Sequence, residues 1–158
     1  MASNEHDHAP IIAPPPLLAA LCIAGGFVAR HFKYLAFFPE NYPLRRPLSV
    51  VLFAIALAIF GAAIAQFIRH KTHPSPYKPT AAVVVNGIYR FTRNPIYIAF
   101  LFIVIGFAVA ANSAWFFVSA VALFVLLHFG VVKREERYLS AKFGSAYDDY
   151  RRRVRRWL

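Results

Sequence analysis

The chain has 158 residues, 59% of them hydrophobic, with 18 Lys and Arg against 7 Asp and Glu for a formal net charge of +11. A mean hydropathy of +0.49 is too apolar for an ordinary soluble domain of this length, so the basic excess is not read as a nucleic-acid surface. One small integral membrane domain is the reading that remains, and its single cysteine, Cys22, excludes an intrachain disulfide and a cysteine-based metal site.

Residues 1–13 read as a disordered tail. It carries Glu5 and Asp7 but no Lys or Arg, whereas a signal peptide normally begins with positive charge. Residues 17–38 form the first predicted span. Pro14, Pro15 and Pro16 suit a helix entry, where the missing proline donor costs nothing, and Arg30, His31 and Lys33 lie where long cationic side chains snorkel from a helix end. Residues 48–68 are the cleanest span, inside the roughly 17 to 25 apolar residues that cross a bilayer as a helix. A loop over residues 69–95 follows, in which Pro74, Pro76 and Pro79 exclude a continuous helix and residues 81–85 make an apolar patch too short to span. The apolar run over residues 96–132 is about twice the length of one span and is broken by Asn112 and Ser113, which predicts a tight hairpin of helices 96–111 and 114–132.

In residues 133–158, Leu139, Phe143, Tyr147, Tyr150, Val154 and Trp157 recur at steps of three and four, an apolar stripe along a helix that Gly144 kinks or divides. The arginine clusters of that tail suit an anionic membrane surface. The fold expected is therefore all-α and integral to the membrane, with about four transmembrane helices and a C-terminal amphipathic interfacial helix. Residues 69–93 and the tail from Lys133 share one side in that topology and hold 14 of the 18 cationic residues. Positive-inside counting puts both termini and that polar side in the cytoplasm.

Two polar blocks bracket the hairpin. One is Asn86-Gly87-Ile88-Tyr89-Arg90-Phe91-Thr92-Arg93-Asn94-Pro95-Ile96-Tyr97, and the other is Lys133-Arg134-Glu135-Glu136. Folding the hairpin brings both to one membrane edge. Arg93, with its planar fork, suits a carboxylate, and a carboxylate at Glu135 or Glu136 suits a cationic ligand or an arginine. The two glutamates point about 100° apart on a helix, so one of them faces a given pocket. Gly87 reads as a turn residue, and His128 as a membrane histidine open to a helix–helix hydrogen bond or a functional role. His70 and His73 have i, i+3 spacing, but Pro74 follows and no carboxylate or thiolate lies near, so no metal is expected.

Gly87, Tyr89, Arg93, Asn94, Pro95 and Tyr97, then Glu135 and Glu136, then Phe143, Gly144, Tyr147 and Tyr150 resemble, in order and spacing, the signature of the isoprenylcysteine carboxyl methyltransferase and phospholipid methyltransferase group of membrane enzymes. The resemblance covers residues 72–158. It implies S-adenosylmethionine as cofactor, with Tyr89, Arg93, Asn94, Pro95, Tyr97, Glu135 and Glu136 as cofactor-site candidates and Arg93, Glu135 and Glu136 as the catalytic ones. It further implies methyl transfer to a lipophilic or lipid-modified acceptor, a carboxylate of the isoprenylcysteine type first and a phospholipid amine second. The eukaryotic carboxyl methyltransferase pattern has histidine where this chain has Asn94, and often glycine where it has Ala99. A noncatalytic lipid-binding scaffold and a sterol-reductase-like protein using a nicotinamide cofactor are the competing readings.

Overall fold

The structure, a computed structural model, describes residues 9–70 and 83–158. Its elements are α1 (Pro15–Phe32), α2 (Arg45–Arg69), a 3₁₀ turn (Gly87–Arg90), α3 (Pro95–Ala111), α4 (Trp115–Val125), a π-helical turn (Leu126–Val132), α5 (Lys133–Phe143) and α6 (Ser145–Arg153). Every element among the described residues is helical. Pro15–Phe32, Arg45–Arg69 and the continuous helix Trp115–Phe143 are long and apolar enough to cross a membrane. The apolar α3 has 17 residues and rises about 25 Å, a little short of the hydrocarbon thickness. The chain is thus an all-α membrane protein. Residues 115–132 are the uncharged, apolar part of its last long helix, and four charged residues follow in succession from Lys133 to Glu136.

Close backbone approach holds the bundle together, as expected where lipid removes most of the hydrophobic drive between helices. On α2 the buried positions are the small residues Ser49, Ala56 and Ala63, one every seven residues, and α2 packs along α3, whose Ala99 and Ala108 are fully buried. A Cβ on Gly106 of α3 would come within 2.8 Å of the Phe53 ring, and one on Gly26 of α1 within 2.7 Å of the Phe116 ring of α4. The outer faces carry exposed Val50, Val51 and Leu57 on α2 and Val118 and Val121 on α4, the surface such a bundle presents to lipid.

The tip of the α3–α4 hairpin explains where α1 stops. Asn112 takes a left-handed conformation, φ 48°, that ends α3. Its side-chain oxygen accepts from the backbone N–H of Phe37 (3.3 Å) and Phe38 (2.9 Å), and its amide donates to the Phe38 carbonyl (3.0 Å). Trp115 Nε1 donates to the Lys33 carbonyl at 2.7 Å, and the Ala114 N–H donates to that of Leu35 at 2.8 Å. These bonds draw residues 33–38 into an extended segment, so α1 ends at Phe32 rather than at residue 38.

Residues 9–13 also depart from expectation, because they pack instead of trailing away. The Ile12 N–H donates to the Gly130 carbonyl at 3.2 Å, and Arg134 donates to that of Pro10 at 2.9 Å. Gly130, without a Cβ, leaves the space that Ile12 fills. The remainder of the expected tail, residues 1–8, lies outside the described residues, as do most of the proline loop, His73 and Ala81. Both ends of the described chain therefore sit at one end of the bundle, with the Asn112 tip at the other.

Replacing Asn112 by alanine strips three hydrogen bonds and the left-handed preference together, a loss of about 2–4 kcal/mol. Thermal unfolding in lipid nanodiscs should show Asn112→Ala strongly destabilised. Ser113→Ala should stay close to the parent, because the buried Ser113 hydroxyl has no hydrogen-bond partner among the described residues.

Candidate functional site

The hairpin brings the two polar blocks together at the end of the bundle that holds both chain ends. Tyr97 lies in the first turn of α3 and its hydroxyl donates to Glu135 at 2.7 Å. Arg93, two residues before α3, has Nη1 3.0 Å from a carboxylate oxygen of Glu136. The consecutive glutamates diverge as neighbours on a helix must, one to α3 and one to the loop before it. Just N-terminal to them the chain forms the π-helical turn Leu126–Val132, a wider winding that changes the angular register with which α5 leaves the span.

Glu136 is the more committed of the two. Arg156 Nε and Nη2 donate to its two oxygens at 2.9 and 2.7 Å, a bidentate pair, while Arg93 presses on the same carboxylate. The side chains of Arg93 and Glu136 are 9% and 8% exposed, so their charges interact with little screening. Arg93 is not saturated by this contact: its Nε and Nη1 are buried with no hydrogen-bond acceptor among the described residues, although Nη1 is within ion-pair distance of Glu136. Buried donors of that kind are rare and point to a missing acceptor.

Glu135 accepts from Tyr97 and makes no ion pair among the described residues. Burial pushes its carboxyl up to about 7; the Tyr97 hydrogen bond opposes the shift, and the neighbouring Glu136 adds to it. The site thus sets two guanidiniums against the Glu136 carboxylate and a second carboxyl, Glu135, that holds its proton more firmly than usual. Tyr147 faces the same cluster. Burial raises its hydroxyl to about 12, against the pull of Arg93 and Arg151.

The other sequence-selected residues stand behind these groups. Tyr89 is buried against Phe67, ring centroids 5.6 Å apart, and its carbonyl accepts from the Tyr150 hydroxyl at 2.7 Å. Gly87 has a positive φ of 61° that starts the 3₁₀ turn, and a Cβ there would meet the Gln66 side chain. Asn94 precedes α3 and its carbonyl accepts the Tyr97 and Ile98 N–H groups, while its side-chain amide donates to the Arg156 carbonyl at 2.8 Å. Pro95 occupies the first helical position. His70 caps α2 through the Gln66 carbonyl and meets Asn86, away from the carboxylates.

Sequence reading gave no site role to Thr92, Arg156 or Trp157. Thr92 donates to the Arg156 carbonyl at 3.2 Å and accepts from the Asn94 N–H. Trp157 donates to His128 Nδ1 at 3.2 Å, so that the histidine is bonded to the tail rather than to a neighbouring helix. The apolar stripe already put Tyr147, Tyr150 and Trp157 on one face. Nothing separates Arg156 from the four other arginines around it until its partner is seen.

Two outcomes test this division of labour. Glu136→Gln leaves Arg93 buried without its counter-charge and should cost about 3 kcal/mol of stability, against little or no loss for Glu135→Gln. A carboxyl whose folded-state pKa is raised holds a proton that the unfolded chain releases, so its contribution falls as pH climbs from the ordinary range of about 4.5 through about 7. The melting temperature of the parent should accordingly fall relative to that of Glu135→Gln across this window.

The family model for phospholipid methyltransferase matches residues 44–146, about two thirds of the chain. An uncharacterized protein of Haemophilus influenzae is 29% identical over 62 residues, which cover 39% of this chain and 98% of that protein. No solved structure matches. The family match runs from the start of α2 through both polar blocks and takes in Arg93, Tyr97, Glu135 and Glu136; the chain belongs to the phospholipid methyltransferase family of integral membrane methyltransferases.

Proposed function

We propose that the chain moves a methyl group from S-adenosylmethionine to a lipophilic carboxylate at the cytoplasmic face of its membrane. The observation that carries the cofactor reading is a pair of charged groups at the site whose bonding is incomplete. Arg93 offers a buried Nε with no acceptor among the described residues and an Nη1 that meets Glu136 only as an ion pair. Next to Glu136 in the chain stands Glu135, whose carboxylate accepts from Tyr97 and has no ion-pair partner among the described residues. A buried guanidinium and, one residue from its partner Glu136, a half-buried carboxylate complement the carboxylate and ammonium of an amino-acid zwitterion. When bound, S-adenosylmethionine supplies a methyl group on a sulfonium, whose departure as a neutral thioether needs no acid.

The protein's task is then placement. Arg93 holds the zwitterion's carboxylate, Glu135 its ammonium, and Tyr97 keeps the Glu135 carboxylate turned toward the site. The net positive balance of the cluster, together with a cationic cofactor, attracts an anionic acceptor from the membrane surface and leaves its oxygen the nucleophile. Positioning and exclusion of water supply the acceleration. Orientation follows from charge: the site end of the bundle carries most of the Lys and Arg residues, which supports a cytoplasmic site and cytoplasmic termini.

Glu135 favours a second acceptor. A carboxyl titrating near 7 can take the proton that a lipid amine must lose, which a carboxylate acceptor does not require. The product distinguishes the two. With radiolabelled methyl donor and membrane lipids, a methyl ester releases volatile methanol in mild alkali, whereas an N-methyl group stays on its non-volatile headgroup. The proposal expects the alkali-labile product, and a stable label would transfer the assignment to the amine.

Arg93→Ala and Glu135→Gln should each lower methyl transfer at least about tenfold, roughly 1.4 kcal/mol of transition-state stabilisation, while His70→Ala stays near the parent. Unchanged turnover in both site variants would contradict the proposed site.

A further inference from the structure

The last residues of the chain lie beyond the family match, which ends at residue 146, yet they touch the site more closely than any other segment outside it. The Arg93 N–H donates to the Arg155 carbonyl at 3.0 Å. One residue on, the Arg156 carbonyl receives both the Asn94 amide at 2.8 Å and the Thr92 hydroxyl at 3.2 Å. The Arg156 side chain meanwhile makes the bidentate pair with Glu136. Three backbone-level bonds and one charge pair thus fasten residues 155–156 across residues 92–94.

The segment is anchored at its far side as well. The Trp157 indole N–H bonds His128 Nδ1, and its ring packs on Phe124 with centroids 5.0 Å apart, so the end of the chain is tied into the last membrane-spanning helix. Val154 leaves α6 in an extended conformation, φ −119° and ψ 133°, which turns the chain away from the helix axis and across the site. A basic tail serving only to touch anionic lipid would place its arginines outward. Arg151, Arg152, Arg153 and Arg155 are exposed, whereas Arg156 points inward.

We propose that residues 155–157 are a positioning strap, in which Arg156 fixes Glu136 and the loop carrying Arg93 while Trp157 anchors the strap to the membrane helix. Arg156 acts through its neighbours. With Glu136 held by a fork of two hydrogen bonds, that carboxylate cannot swing to satisfy the remaining donors of Arg93, which stay directed at a ligand. The strap rests on the reading of Arg93 as a ligand-holding residue, but its mechanical part does not.

The test uses the full chain in nanodiscs with Arg156→Gln, Arg156→Lys and Trp157→Phe. Hydrogen exchange reads the strap without any ligand: the Arg93 amide should be protected in the parent and exchange at least about tenfold faster in Arg156→Gln, with an intermediate rate in Arg156→Lys. Titration with S-adenosylmethionine should show at least about tenfold weaker binding for Arg156→Gln and partial recovery with lysine. Should Arg156→Gln fail to fold, Trp157→Phe must shift exchange and binding in the same direction. Parent-like exchange and binding in the folded variants would overturn the strap. Failure of the parent itself to bind S-adenosylmethionine would instead overturn the cofactor reading, and the exchange result would still decide the strap.

Discussion

The arrangement at the membrane edge depends on one buried carboxylate. Glu136 lies between Arg93, on the loop entering α3, and Arg156, at the end of the chain, with its two oxygens 2.7 to 3.0 Å from their nitrogens. A lone carboxylate at this depth would be costly; flanked by two guanidiniums it becomes the point where three stretches of chain, far apart in sequence, are obliged to meet. Because both arginines are drawn to it, the loop over residues 92–94 and the tail close on each other. Remove that charge and the same positive groups would repel.

The membrane helices make this meeting possible. The α3–α4 hairpin returns α5 to the level where α3 began, and the Asn112 tip at the opposite end holds the α1–α2 connection, so neither end of the bundle is free to splay. The π-helical turn sits between the span and the glutamates, a position at which such windings are often functional. Here it sets the rotation at which Glu135 meets Tyr97 and Glu136 meets Arg93. The family match covers this machinery from α2 to α5, which makes the chain a membrane methyltransferase, and the small-residue packing of α2 on α3 supplies the rigid support.

Much of this was legible in the sequence for plain physical reasons. Uninterrupted apolar length announces a span regardless of partners, and a polar pair such as Asn112-Ser113 in the middle of a double-length run has few outcomes other than a turn. Once the hairpin is granted, the two polar blocks must share an end. The separate roles of Glu135 and Glu136 were not legible: adjacency shows that they diverge, but the direction of each depends on the winding of the preceding turn, which composition does not encode. The tail was legible only in part. Its stripe showed that Tyr147, Tyr150 and Trp157 share a face, yet periodicity describes a face and not what covers it, and here protein covers both tyrosines. The end of α1 escaped for a related reason, since its backbone is claimed by Asn112, 74 residues away in sequence from Phe38.

The central claim is that Arg93 and Glu135 hold the zwitterionic end of the cofactor, and a pair of ligands differing only there tests it most directly. S-adenosylhomocysteine carries the amino-acid end, whereas methylthioadenosine lacks it while keeping the adenosine thioether. Calorimetric titration of both into the protein in nanodiscs should show a clear preference for S-adenosylhomocysteine that shrinks markedly in Arg93→Ala, where only the Glu135 contact to the ammonium remains. The same preference in parent and variant, with both folded, would show that Arg93 does not read that end and would contradict the account.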